Sequence, residues 1–167
     1  MQNLRVAVKA VDLAVYRRVR SLAHRPERVR WVRRYSRLGE HAGLWLALGV
    51  AGAGADRDRR ANWVRATTCV GGSYLLSCSI KIAIARRRPL VEDLPHLMTT
   101  PTGLSFPSAH SASSFAAARA FGRLVPAGPL YGAAAAMAFS RLYLGVHYPS
   151  DVAAGAALGA VIGSLGR

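Results

Sequence analysis

Acidic residues are scarce in this chain: eight Asp and Glu stand against 23 Lys and Arg, leaving a formal net charge of +15 over 167 residues. Cysteine is nearly missing as well, and Cys69 and Cys78 sit nine residues apart in one apolar stretch, too distant along a helix for a disulfide. A disulfide-stapled scaffold is excluded, and both read as free thiols in a core. Aromatic side chains amount to 8% and are not interleaved with the basic ones, which argues against a nucleic-acid partner. The N-terminal segment has neither an uninterrupted apolar run nor a small-residue cleavage site, so it does not read as a signal peptide.

What is present is apolar surface: 51% of residues are hydrophobic, and apolar stretches alternate with basic clusters instead of mixing with them. That pattern fits helices in lipid with arginines at its surface, against anionic headgroups. The expected fold is therefore all-α, an integral membrane bundle of about five transmembrane helices preceded by an interfacial amphipathic helix. Residues 3 to 23 place Leu4, Val8, Val11, Val15, Val19 and Leu22 on one stripe, with Arg5, Lys9, Asp12 and Arg20 elsewhere. Such a helix lies in the membrane interface or packs its stripe on the domain's own surface. Residues 1–37 form a basic interfacial region and residues 38–167 the transmembrane domain. Spans are expected near 38–55, 62–85, 108–125, 130–144 and from Pro149 to the C-terminus, several of them shorter than the roughly 20 residues that cross hydrocarbon. Between the second and third, prolines at 89, 95, 101 and 107 mark a loop.

Three short motifs occupy the ends of these spans: Lys81 with Arg88-Pro89, then Pro107-Ser108-Ala109-His110, then Ser140-Arg141 with His147 and Asp151. In an alternating bundle the end of span two, the start of span three and the junction of spans four and five all emerge on one face. Lys81 and Arg88, seven apart, can point to one side of a helix and stabilise charge on a phosphoryl group. Alone, each cation would simply reach for headgroups. Ser108 suits an N-cap, and the helix start behind it makes an anion site beside His110, placed to act as general acid. Asp151 follows His147 by four and can hold one ring nitrogen, leaving the other free to attack. A metal centre would use the same histidines and aspartate, but the surrounding cations would repel a metal ion.

In order and spacing, KxxxxxxRP, PSxH and SRxxxxxHxxxD resemble the signature of the type 2 phosphatidic acid phosphatase superfamily. The resemblance implies a cofactor-free, metal-independent phosphatase with His147 as nucleophile, Asp151 as its orienting partner and His110 as acid for the leaving group. It also implies phosphate binding by Lys81, Arg88, Ser108, Ala109 and Arg141. Ala109 stands where the family usually has glycine, and keeps the backbone N–H. Eleven of the 23 basic residues precede Glu40, on the side of the motifs, so the positive-inside rule puts the site at the cytoplasmic face of a bacterial inner membrane. Sidedness, with an Ala-, Arg- and Gly-rich composition, resembles the branch that dephosphorylates decaprenylphosphoryl-5-phosphoribose; undecaprenyl pyrophosphate, phosphatidylglycerophosphate or phosphatidate are the alternative substrates, and a silent lipid-binding protein the non-enzymatic one. Gly155, Gly159 and Gly163 form a double GxxxG ridge, for packing within the bundle or for a homodimer. His24, His41 and His96 lack motif partners and read as interfacial, with His96 as a further candidate for the active-site loop.

Overall fold

A computed structural model describes residues 2–22 and 25–166, with side chains from Val6 onward; His24 and Arg167 lie outside the described residues. Among them the fold is all-helical. α1 (Gln2–Arg20) and α2 (Pro26–Leu38) lead through a single 3-10 turn, Glu40–Ala42, into α3 (Gly43–Ala55), α4 (Arg60–Ile84), α5 (Ala109–Phe121), α6 (Ala127–Tyr143) and α7 (Pro149–Leu165). The only β feature among the described residues is an isolated antiparallel bridge, Arg87 with Leu104, where the loop between α4 and α5 doubles back.

α5 is the central post. Its run of Ala and Ser is buried nearly all round, which suits a helix enclosed by others. Trp45, Trp63, Val70 and Leu130 complete the core around it. α7 packs on α5 in parallel through its glycine ridge: a Cβ on Gly155, Gly159 or Gly163 would lie 2.4, 2.1 and 2.5 Å from the carbonyls of Ser108, Ala112 and Ala116 respectively. These contacts lie within the chain, so the ridge is occupied by α5 and a second copy would have to use another face. The close approach has a consequence at the helix starts. The Ser108 N–H donates to the Asp151 carbonyl at 3.0 Å, fixing the first turns of α5 and α7 side by side.

The helix boundaries follow local chemistry. Pro26 and Pro149 occupy the first turns of α2 and α7, where a missing N–H costs nothing. Asp151 reaches back to accept from the Tyr148 N–H at 2.9 Å, and Ser108 caps α5 by accepting from the Ser111 N–H. α4 ends at Ala85, which turns left-handed at φ 53° and donates its N–H to the Lys81 carbonyl.

The outward face of the bundle is apolar. Val50, Val64, Leu75, Leu76, Ile82, Phe139, Val161 and Leu165 are all exposed, a band of the kind that marks contact with lipid or another partner. By length and composition α4, 25 residues and about 38 Å long, is the one described helix able to cross a bilayer unaided, and α7 is a shorter apolar helix of 17 residues.

α1 departs from a soluble amphipathic helix. Val8, Val11 and Val15 are exposed, while Asp12, Tyr16 and Arg20 are buried against the body. The polar stripe is the one that docks: the Tyr16 hydroxyl donates to the Gly145 carbonyl at 3.2 Å, and Arg20 donates to the carbonyls of Tyr143 and Pro95 at 3.0 and 2.6 Å. The apolar stripe therefore does not pack on the domain's own surface. α2, which sequence periodicity did not separate from the N-terminal region, packs beside α6, its Tyr35 hydroxyl donating to the Ala133 carbonyl at 2.7 Å.

Candidate active site

The ends of α4 and α6, the starts of α5 and α7, and the α4–α5 loop enclose a cavity of about 220 Å3. Lys81, Arg88, Ala109, His110, Arg141 and His147 all line it, so the three sequence motifs do meet at one end of the bundle.

His147 stands in the short turn between α6 and α7, fully enclosed. That turn needs Gly145, whose φ of 75° is left-handed and whose α-carbon lies so near Tyr16 that a Cβ would come within 2.9 Å of the hydroxyl. Nδ1 of His147 lies 3.6 Å from Asp151 Oδ2, longer than a hydrogen bond, and is buried without a hydrogen-bond partner. Nε2 lies 3.2 Å from the Arg88 guanidinium, which donates to it. Burial, reinforced by Arg141, Arg88 and Lys81, holds the imidazole well below its ordinary 6.5, so it is neutral at physiological pH, with its Nε2 lone pair turned toward Arg88.

Asp151 is completely buried and its carboxylate is held from two sides. Oδ2 accepts from the Tyr148 N–H, and Oδ1 accepts from Arg86 at 2.8 Å. The other end of the same guanidinium pairs with Asp12 of α1 at 2.7 Å, and Asp12 also accepts from the Ser150 N–H and hydroxyl at 2.8 and 2.6 Å. Arg86 lies against the Tyr148 ring as well, 4.3 Å from its centroid. Neither Asp12 nor Arg86 belongs to the three motifs. Their signal in the sequence was faint: Asp12 is one of only eight acids and sits on a polar stripe, with Tyr16 and Arg20, spaced for a helix.

The cations are positioned by backbone carbonyls. Lys81 donates to the carbonyl of Pro107 at 3.1 Å. Arg88 donates to those of Thr102 and Val146 at 2.9 and 2.6 Å. Burial lowers Arg88 to about 10, which leaves it charged at neutral pH. Arg88 is not on the helix with Lys81, as two-turn spacing suggests; Ala85 ends α4 first, and the loop that folds back through the Arg87–Leu104 bridge returns Arg88 to the cavity. Ser108 is also displaced from its expected place. It is fully buried, its hydroxyl engages Ser111 and its N–H engages Asp151, so it shapes the first turn of α5 while Ala109 lines the cavity.

α2 supplies a contact that motif reading missed. Ser36, fully buried, accepts from Arg141 on its hydroxyl at 2.5 Å, and its carbonyl lies 3.2 Å from His110 Nε2. A carbonyl can only accept, so this contact puts the proton on Nε2 and leaves Nδ1 as the exchanging nitrogen. Arg141 Nε has no hydrogen-bond partner although the side chain is 2% exposed, a donor that an anion would satisfy. Of the histidines without motif partners, His41 lines this cavity and His96 the two neighbouring clefts.

A neutral imidazole oriented by a carboxylate, a second imidazole, and three fixed cations can hold a phosphoryl group, attack it and protonate what leaves. The PAP2 superfamily model matches residues 62–166, all three motifs included. The chain belongs to the PAP2 superfamily. Its similarity extends beyond that segment: it is 40% identical over 155 residues to the decaprenylphosphoryl-5-phosphoribose phosphatase of Mycobacterium tuberculosis, covering 92% of this chain and 88% of that one. The protein of the same name from Mycolicibacterium smegmatis is 40% identical over 81% of this chain and 75% of its own. Among solved structures, Aquifex aeolicus LpxE superposes with a TM-score of 0.77 at 25% identity, over 92% of this chain and 93% of that one. The transmembrane PAP2-type phosphatidylglycerolphosphate phosphatase of Bacillus subtilis superposes at 0.74 and 24% identity, over 99% and 85%; at that identity the likeness is one of fold.

Proposed function

We propose that this PAP2 protein is a multi-pass inner-membrane phosphatase that hydrolyses the phosphomonoester of decaprenylphosphoryl-5-phosphoribose, giving decaprenylphosphoryl-ribose and inorganic phosphate. The observation that carries the chemistry is the placement of His147, Nδ1 3.6 Å from the Asp151 carboxylate and Nε2 3.2 Å from Arg88, in a cavity lined by Lys81 and Arg141. The substrate reading rests on relatives of that name at 40% identity over nearly the whole chain.

In the first step His147 Nε2 attacks phosphorus while the bond to the sugar's 5-oxygen breaks, and the leaving oxygen takes the Nδ1 proton of His110, whose ring enters the step doubly protonated and keeps its Nε2–H on the Ser36 carbonyl. Lys81, Arg88, Arg141 and the Ala109 N–H hold the equatorial oxygens as charge spreads over them. In the second step His110, now neutral, takes a proton from water as it attacks the phosphohistidine, releasing phosphate and restoring His147. Asp151 stabilises the imidazole ring as it carries positive charge.

The helices α3 to α7 cross the bilayer in this reading, α1 lies in the interface with Val8, Val11 and Val15 toward lipid, and the site opens at the cytoplasmic headgroup level. α3 and α5, 13 residues each, reach only about 20 Å, so the bilayer thins around them. The basic N-terminal region, on the same end as the site, supports the cytoplasmic orientation. Thiol labelling of Leu90→Cys, in a background lacking Cys69 and Cys78, is expected only in inverted membrane vesicles; labelling only in right-side-out vesicles would reverse the orientation.

Phosphate release by the purified protein decides the substrate. Polyprenylphosphoryl-5-phosphoribose is expected to turn over at least tenfold faster than polyprenyl pyrophosphate, phosphatidylglycerophosphate or phosphatidate. Comparable turnover of phosphatidate would overturn the specific reading and leave the phosphatase chemistry standing.

A further inference from the structure

One wall of the catalytic cavity is chemically unlike the rest. Besides the cations, Glu40 and His41 of the 3-10 turn line it together with Tyr74 of α4. Glu40 is half-buried, and among the described residues it makes no ion pair within 4.0 Å, although its charge is felt by Arg141. His41 Nδ1 lies 2.8 Å from the Tyr74 hydroxyl, with the two rings edge to face.

The backbone is strained to make this wall. His41 and Ala42 both adopt left-handed conformations, at φ 53° and 59°, a conformation that side-chain-bearing residues avoid. Two such residues in succession turn the chain from α2 into α3 while keeping Glu40 and His41 on the cavity. Strain of this kind persists where surrounding packing holds it and gathers at functional sites.

A carboxylate beside a phosphate site repels the phosphate, so its presence is explained by what the substrate carries next to the scissile group. A second phosphate there would meet like charge. An apolar group would desolvate the carboxylate with no hydrogen bond in return. Hydroxyl groups, by contrast, donate to it, and such charged acceptors give the stronger hydrogen bonds.

We propose that Glu40, seated by the left-handed turn beside the His41–Tyr74 pair, is a specificity-determining residue that accepts hydrogen bonds from hydroxyls of the leaving group and rejects substrates with a second phosphate at that position. The inference rests on the phosphatase reading and narrows it to phosphomonoesters of polyhydroxylated carriers, a sugar above all. Cavity size agrees: about 220 Å3 accommodates a phosphoryl group and a small attached ring, while the lipid tail must leave through the mouth.

The test compares wild type with Glu40→Gln and Glu40→Asp on three probes of one short chain length: the polyprenylphosphoryl-5-phosphoribose, its 2,3-dideoxy counterpart, and the polyprenyl pyrophosphate. Wild type is expected to show a KM about tenfold lower for the hydroxylated sugar than for the dideoxy one. Glu40→Gln should erase most of that difference and raise kcat/KM on pyrophosphate about tenfold, while Glu40→Asp restores part of the sugar preference. Equal effects of Glu40→Gln on all three probes, or no effect on any, would overturn the proposal; gel filtration and melting in detergent establish that each variant is folded. If wild type releases phosphate from none of the probes, the phosphatase reading itself fails and this inference falls with it, an outcome distinct from active enzyme without discrimination.

Discussion

Arg86 binds Asp151 through one guanidinium nitrogen at 2.8 Å and Asp12 through the other at 2.7 Å. A single side chain outside the signature motifs thus ties the carboxylate behind His147 to the N-terminal helix, both acids being at most 2% exposed. The arrangement makes α1 part of the support of the candidate site.

Removing Arg86 leaves two buried carboxylates without their partner, and a broken buried pair costs about 3–5 kcal/mol. Arg86→Ala is expected to lower the melting temperature sharply and to reduce kcat through a misplaced Asp151. Asp12→Asn combined with Arg86→Gln should be less destabilising than the sum of the single changes, which a double-mutant cycle in detergent measures. Strict additivity would mean that the two ends of the bridge act independently.

Ser36 touches the site through two different atoms. Ser36→Ala removes the hydroxyl that Arg141 binds at 2.5 Å but keeps the carbonyl facing His110. The expected result is a KM raised about tenfold, the scale of one hydrogen bond to a charged group, with kcat changed much less. A fall confined to kcat would place the hydroxyl's role on the proton-transfer side instead.

The α5–α7 contact permits no added atom: a Cβ on Gly159 would lie 2.1 Å from the Ala112 carbonyl. Gly159→Ala is expected to destabilise by about 1–3 kcal/mol as the helices part, and to lower activity because His110 and Asp151 ride on the starts of those two helices. Thermal unfolding and phosphate release, measured together, check this; an unchanged melting point would show that the helices slide without cost.

His147 is held neutral by burial and by its cationic neighbours. Below the ordinary histidine value of about 6.5 the unfolded chain binds a proton that the folded site refuses. This group's contribution to stability is therefore present above that pH and lost as pH falls through the lower folded value. Histidine NMR in detergent is expected to show no titration of His147 at or above pH 6.5; a midpoint there would mean that water reaches the ring.

Much of this was legible because PAP2 chemistry sits at helix ends, where Pro107 and Pro149, an N-cap serine and fixed spacings leave marks in one dimension. The five expected segments coincide with helices α3 through α7, ends shifted by a few residues, since apolar runs and proline punctuation define them; among the described residues α4 alone is long and apolar enough to cross a bilayer. Arg88 was misplaced on a helix because Ala85 adopts a left-handed cap without glycine, which composition does not announce. Asp12, Ser36, Glu40 and Arg86 escaped notice for another reason: each is an ordinary polar residue until tertiary packing brings α1, α2 and the 3-10 turn against the motifs. α1 inverted the usual inference from amphipathicity, burying its polar stripe against the loops around the candidate site and leaving Val8, Val11 and Val15 outside.

The most direct test is the covalent intermediate. Protein mixed with substrate carrying a 32P-labelled monoester, quenched within milliseconds and digested under alkaline conditions, is expected to yield one labelled peptide with phosphate on His147, absent in His147→Ala. In His110→Ala the label is expected to accumulate when p-nitrophenol, which leaves without an acid, replaces the sugar, because hydrolysis of the phosphohistidine has lost its base. Label on His110, or phosphate released at full rate by His147→Ala, would contradict the assignment of His147 as nucleophile.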